Sequence, residues 1–164
     1  MTQPGVTVSM FVQVSPADAF EVFTEEIHLW WKRSPMSRFR QDRAGIMRFE
    51  PGPKGRLIEH YGETPDDPYE VGRILHWEPG RRLVFEWRPR NFALHEVSQV
   101  EVRFEAAVGG TRVTLEHRGL DALPKGHPAR HGLQDRAYWE MMAGWWQEML
   151  RGMKAHAAGG AAGS

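Results

Sequence analysis

Hydrophobic and polar positions first alternate with a period of two. Val6, Val8, Met10, Val12 and Val14 fall on one side of an extended segment, with Thr7, Ser9 and Gln13 opposite, the pattern of a half-buried strand. Ser15-Pro16-Ala17-Asp18 then starts a helix. The serine caps, the proline suits the first helical position, and Asp18 stands where a capping box is completed. Ala19, Phe20 and Phe23 supply its buried side. Residues 26–31 predict a second short helix that ends in Trp30-Trp31, with Pro35 stopping anything longer.

The middle of the chain is a series of strand patterns separated by turn signals. Residues 44–50, 56–61, 71–77 and 83–88 read as strands, and Glu78-Pro79-Gly80 joins the last two as an antiparallel hairpin with glycine placed for a positive φ. Residues 97–107 and 111–117 form a longer hairpin around Gly109-Gly110. In it Val100, Val102 and Phe104 alternate against Glu101, Arg103 and Glu105, and Val113 and Leu115 against Arg112, Thr114 and Glu116. The strand over 71–77 leaves its inward side open, since neither Ile74 with His76 nor Leu75 with Trp77 makes a clean apolar set.

From residue 133 to 153 the period becomes helical. Tyr138, Met141, Met142, Trp145, Trp146, Met149, Leu150 and Met153 share one side, with Trp139 at its margin. Glu140, Gln147, Glu148, Arg151 and Lys154 take the other. The apolar arc spans roughly half the circumference, wider than the ~100° stripe of an ordinary surface helix, so the helix needs something broad and concave to lie in. Its indoles and thioethers read either as a Met/Trp-rich core or as one wall of a ligand cavity. The order is strand, two short helices, antiparallel strands and one long helix. It predicts an α+β fold in which a curved sheet grips that helix, as one domain over residues 1–155. The low-complexity stretch 156–164 is expected to be a disordered tail.

Composition narrows the function classes. Lys+Arg and Asp+Glu both number 21 in 164 residues, and the basic residues are scattered, which argues against nucleic acid. The absence of cysteine excludes disulfides, thiolate zinc sites and cysteine nucleophiles. No run reaches the ~18 apolar residues of a membrane span, and the opening residues lack signal-peptide features. A cytoplasmic protein without membrane partners is expected.

The string GRILHWEPGRRLVFEW, residues 72–87, resembles the strand-turn-strand signature of the SRPBCC (START/Bet v-like) superfamily. Within it, the chain is similar to the branch around the activator of the ninety-kilodalton heat-shock chaperone ATPase. TRVTLEHRGL (111–120) resembles that branch's last strand, SPADAFEVFTEEIHLWW (15–31) its opening helices, and GRLIE (55–59) its third strand. The resemblance implies a helix-grip fold, a seven-stranded antiparallel sheet wrapped round a C-terminal helix with an apolar cavity between. It also implies a possible chaperone partner and a stress-response role.

Candidate chemistry is sparse. Phe85 and Trp87, if they point inward with Leu83, face Met142, Trp145 and Met149 across the fold. With Trp30 and Trp31 they would line a pocket for a small hydrophobic molecule, unless they simply fill each other's space. Glu59 and Arg73 lie in strands expected to be neighbours, where a carboxylate–guanidinium pair could orient a polar ligand end. His117 follows the inward alternation of Val113 and Leu115. Both it and His76 read as buried histidines bonded to backbone before they read as general bases. His127 and His131 have helical chelate spacing, but Pro128 stands between them and no HExxH is present, so no metal is expected. GxSxG, GxGxxG and GxxxxGK[ST] are all missing, and no cofactor is expected. The leading expectation is binding of a small hydrophobic or aromatic ligand without strong catalysis, by a monomer or weak homodimer. A chaperone-associated interaction module and a polyketide cyclase/dehydratase-like enzyme are the alternatives.

Overall fold

The computed structural model describes residues 5–31, 45–61, 68–88, 97–119 and 135–162, and side chains of the last helix over 136–159. The connection 89–96 with Phe92 and Leu94, proposed as a cover for a cavity mouth, lies outside the described residues. So do His127 and His131.

Among the described residues ten elements follow the predicted order: β1 (Gly5–Val12), α1 (Pro16–Thr24), α2 (Ile27–Trp30), β2 (Ile46–Phe49), β3 (Arg56–His60), β4 (Tyr69–Glu78), β5 (Arg82–Trp87), β6 (Ser98–Ala107), β7 (Gly110–Arg118) and α3 (Asp135–Ala162). The strands form one antiparallel seven-stranded sheet in the order β1-β7-β6-β5-β4-β3-β2. α3 lies against it, chiefly along β1, while α1 and α2 each pack against both the sheet and the helix. The expected capping serine is in place: Ser15 Oγ accepts from the Asp18 backbone N–H at 3.1 Å. Gly80 and Gly109 turn the two hairpins at φ 74° and 83°, in the left-handed region where a Cβ is costly.

The ambiguity of β4 has a local cause. Ile74 pairs with Phe85, His76 with Val84 and Trp77 with Leu83, so Leu75 is the extra residue of a β-bulge. Residues directly opposite across a ladder share a face. Ile74 and Trp77 therefore both point inward with Phe85 and Leu83, and Leu75 and His76 are exposed. One inserted residue changes the parity of everything after it.

α3 also departs from expectation. The stretch taken for a disordered tail continues the helix to Ala162. Alanine is the strongest helix former, Ala157 is buried in the core, and His156 Nε2 reaches Glu26 Oε1 at 2.7 Å to fasten the helix to the α1–α2 junction.

The two faces of the sheet differ in chemistry. Outward, Glu101 and Glu116 sit directly opposite each other across β6 and β7, and Arg103 and Arg118 each reach both carboxylates at 2.9–3.3 Å. Burial pushes the Glu101 carboxyl up, but the hydrogen bonds from Arg118 and Arg103 prevail and hold it below the usual carboxylate range. Inward lies a continuous apolar core. At the hairpin end it is mainly phenylalanine: Phe20 meets Phe104 at 5.3 Å between ring centroids, Phe49 meets Phe85 at 5.3 Å, Phe23 meets Phe49 and Phe104 at 6.1 Å, and Trp77 packs edge-on against Phe20 at 5.1 Å. At the opposite end it is tryptophan. Among the described residues no helix is long and apolar enough to cross a membrane.

Candidate ligand-binding site

Five inner-face positions converge where β3, β5 and β7 end and β4 and β6 begin. Glu59, Tyr69, Trp87, Ser98 and His117 occupy them. α2 delivers Trp31, and the N-terminal half of α3 delivers Met142, Trp145 and Trp146. The indoles of Trp31, Trp87, Trp145 and Trp146 all touch one another, with six centroid separations from 4.6 to 6.2 Å. Most of these contacts are edge-on or strongly tilted, the arrangement that the ring quadrupole favours. Trp87 and Trp146 are buried, whereas Trp31 and Trp145 keep part of their surface open.

A hydrogen-bonded chain fixes this cluster from behind. Trp146 Nε1–H donates to His117 Nδ1 at 3.0 Å. Indole nitrogen can only donate, so His117 Nδ1 is unprotonated and the neutral ring carries its proton on Nε2. That Nε2–H donates to Ser98 Oγ at 2.8 Å, and the Ser98 hydroxyl donates to the Trp87 carbonyl at 2.8 Å. Two of the four indole-bearing residues are thus tied to one imidazole. His117 is fully buried, and burial pushes its pKa down to about 3, because a charged ring would lose both solvent and the bond from Trp146.

This direction of donation also decides what the Ser98–His117 pair cannot do. A serine nucleophile needs the imidazole to accept its proton. Here the imidazole donates to the serine, whose own proton is committed to a backbone oxygen. The pair is a positioning device, and His117 is bonded to side chains rather than to the backbone partner expected for it.

Glu59 is 3% exposed. It pairs with Met47 on one side and Tyr69 on the other, both packed into the core, so its carboxyl is on the inner face. The proposed partnership with Arg73 does not form. Arg73 pairs with Arg56, one residue out of phase with the inward set, and is exposed on the outer face. The carboxylates near Arg56 are Glu50, held bidentately at 2.7 and 3.0 Å, and Glu70 at 3.8 Å.

The other expected lining residues separate into two groups. Trp31, Trp87, Trp145 and His117 are brought together as one cluster. Trp30 is buried beside it, its Nε1–H donating to the Val22 carbonyl at 2.8 Å. Phe85 and Met149 are buried in the core, Phe85 edge-on to Phe49, and Met142 is buried on α3. Sequence reasoning passed over Ser98, Tyr69 and the anchoring role of Trp146. Ser98 was within reach of it, since the Gly109-Gly110 turn fixes the register that makes Ser98 a diagonal inner-face neighbour of His117. Among the described residues, no group of three His, Cys, Asp or Glu side chains could hold a metal ion.

A curved antiparallel sheet gripping one long helix, with an aromatic lining at one end, defines a helix-grip protein of the SRPBCC class. The chain belongs to the family described as Activator of Hsp90 ATPase homolog 1-like protein, whose sequence profile matches residues 13–158. No curated protein matches it in sequence. Among solved structures it is similar to NE0264 from Nitrosomonas europaea, with a TM-score of 0.64 and 15% identity over 99% of both chains. It is also similar to DynU16, a putative protein in the dynemicin biosynthetic locus, with a TM-score of 0.61 and 15% identity over 97% of this chain, which spans 49% of that one. A third similar structure is the anthrahydroquino-gamma-pyrone synthase Txn09, with a TM-score of 0.52 and 29% identity over 85% of each chain.

Proposed function

We propose that the protein binds a small, planar, largely aromatic molecule at the tryptophan end of the space between sheet and α3. The observation that carries this reading is the pair of half-open indoles, Trp31 and Trp145, standing on two buried ones, Trp87 and Trp146. Such a platform favours edge-on or offset contacts with another aromatic ring, worth about 0.5–1.5 kcal/mol beyond area burial. Each Å² of apolar surface removed from water adds roughly 25 cal/mol. The name of Txn09 describes a fused-ring aromatic, which agrees with a ligand of that kind here.

Titrating the protein with anthracene and anthraquinone while following tryptophan emission tests the proposal. Saturable quenching that weakens in Trp145→Ala is expected. A linear, non-saturating response to both compounds and their hydroxylated derivatives would overturn it.

A second reading has its own support. Txn09 is named as a synthase, and Glu59 places a buried carboxyl on the inner face of the sheet. An enzyme of the cyclase type would use that carboxyl as its acid or base. Glu59→Gln would then abolish turnover of a polycarbonyl aromatic precursor while ligand affinity stays near wild type.

A further inference from the structure

The indole nitrogens at this end of the fold are not equivalent. Trp30 Nε1–H is satisfied by the Val22 carbonyl and Trp146 Nε1–H by His117. Trp31 Nε1 is also shielded from solvent, yet it has no hydrogen-bond partner among the described residues. Leaving a buried donor unmatched is costly, and native structures keep such groups rarely enough that each calls for a cause. Trp31 is also the ring that joins the parts of the cluster, touching Trp30, Trp87, Trp145 and Trp146.

We infer that Trp31 is the polar anchor of the ligand site, its indole N–H donating to a neutral carbonyl oxygen on a planar aromatic ligand. This rests on the ligand-binding reading above and adds the chemical class of the ligand. An indole nitrogen can only donate, so its complement must be an acceptor. Charge selects among acceptors. The described arginines of the sheet lie outward: Arg56 and Arg88 face Glu70, Arg73 is exposed, and Arg82, Arg103 and Arg118 surround Glu101. Inside are a neutral imidazole and the Glu59 carboxyl. Among the described residues an anionic ligand would meet no cation there, and burying its charge would go uncompensated. A quinone or aryl ketone meets the N–H without that penalty.

The test compares two ligands of the same shape that differ by carbonyl oxygens. Equilibrium dialysis of wild type and Trp31→Phe against anthraquinone and anthracene measures affinity without relying on indole emission. Trp31→Phe is expected to weaken anthraquinone binding about tenfold, the size of one hydrogen bond, relative to its effect on anthracene. An equal change for both ligands, or none for either, overturns the inference while leaving the ligand-binding reading intact. If neither compound binds wild type, both fall together. Because the substitution could perturb folding, the indole N–H resonance of Trp31 in nitrogen-15-labelled wild type supplies a second reading. It should move downfield with anthraquinone and not with anthracene, and a resonance that ignores both overturns the inference.

Discussion

The two ends of the grip hold the same sheet against the same helix with different chemistry. At the hairpin end five phenylalanines interlock beside one half-buried indole, Trp77, and the hydrocarbon rings ask only to be packed. At the other end the rings carry nitrogens, and a buried nitrogen calls for a partner, which Trp31 Nε1 alone of these indoles lacks among the described residues. Trp146, His117 and Ser98 meet that demand by bonding in series, ending on the carbonyl of Trp87. A phenylalanine core tolerates small rotations of its members, whereas this chain has one arrangement in which every donor finds an acceptor. The contrast separates the part of the molecule that supplies stability from the part that supplies a defined surface.

The largest expected effect lies at the hairpin end. Phe85→Ala removes a fully buried ring and should lower the free energy of unfolding by about 3–5 kcal/mol, read as a shift of the urea midpoint at constant slope. A loss below about 1 kcal/mol would mean that this end is not the stabilising half.

Acid should act on the other end. The folded-state pKa of His117 lies near 3, below its ordinary 6.5, so between those values the unfolded chain binds a proton that the folded chain refuses. Stability contributed by the neutral imidazole is complete above about pH 6.5 and declines as pH falls toward 3, by up to about 1.4 kcal/mol per pH unit. Urea unfolding at stepped pH measures the slope. His117→Gln should flatten it between pH 5 and 6.5, where carboxylates remain ionised, and an unchanged slope would assign the dependence to other groups.

The smallest of the three effects tests the relay directly. Ser98→Ala deprives His117 Nε2–H of its acceptor and the Trp87 carbonyl of its donor, and should cost about 1–3 kcal/mol. A thermal melt indistinguishable from wild type would show that the two ends differ less than their chemistry suggests.

Much of this was legible in the chain. Period-two alternation in β1, β6 and β7, the Ser15 cap and the wide apolar arc of α3 were enough to predict the grip, because each reports burial through spacing alone. β4 was not legible, since the bulge at Leu75 breaks the spacing that would have revealed its faces. Glu59 and Arg73 failed as a pair because which residues share a face depends on register: Arg73 pairs with Arg56, which lies three residues from Glu59 on β3 and so points to the opposite face. The end of α3 was misjudged because low complexity was weighed above the helix propensity of alanine. His117 was correctly turned inward by alternation. Its partners were not seen, because a hydrogen-bonded chain is specified by angles between side chains and leaves no periodic trace.

The closeness of Trp145 and Trp146, 4.6 Å between centroids and held at 64°, has an optical consequence. Two transition dipoles at that distance and skew mix their excited states, so the pair should give a split Cotton effect in the near-ultraviolet circular dichroism. That feature vanishes when specific packing is lost even if the helix survives, and each molecule therefore carries an internal gauge of whether its ligand-facing end is properly assembled.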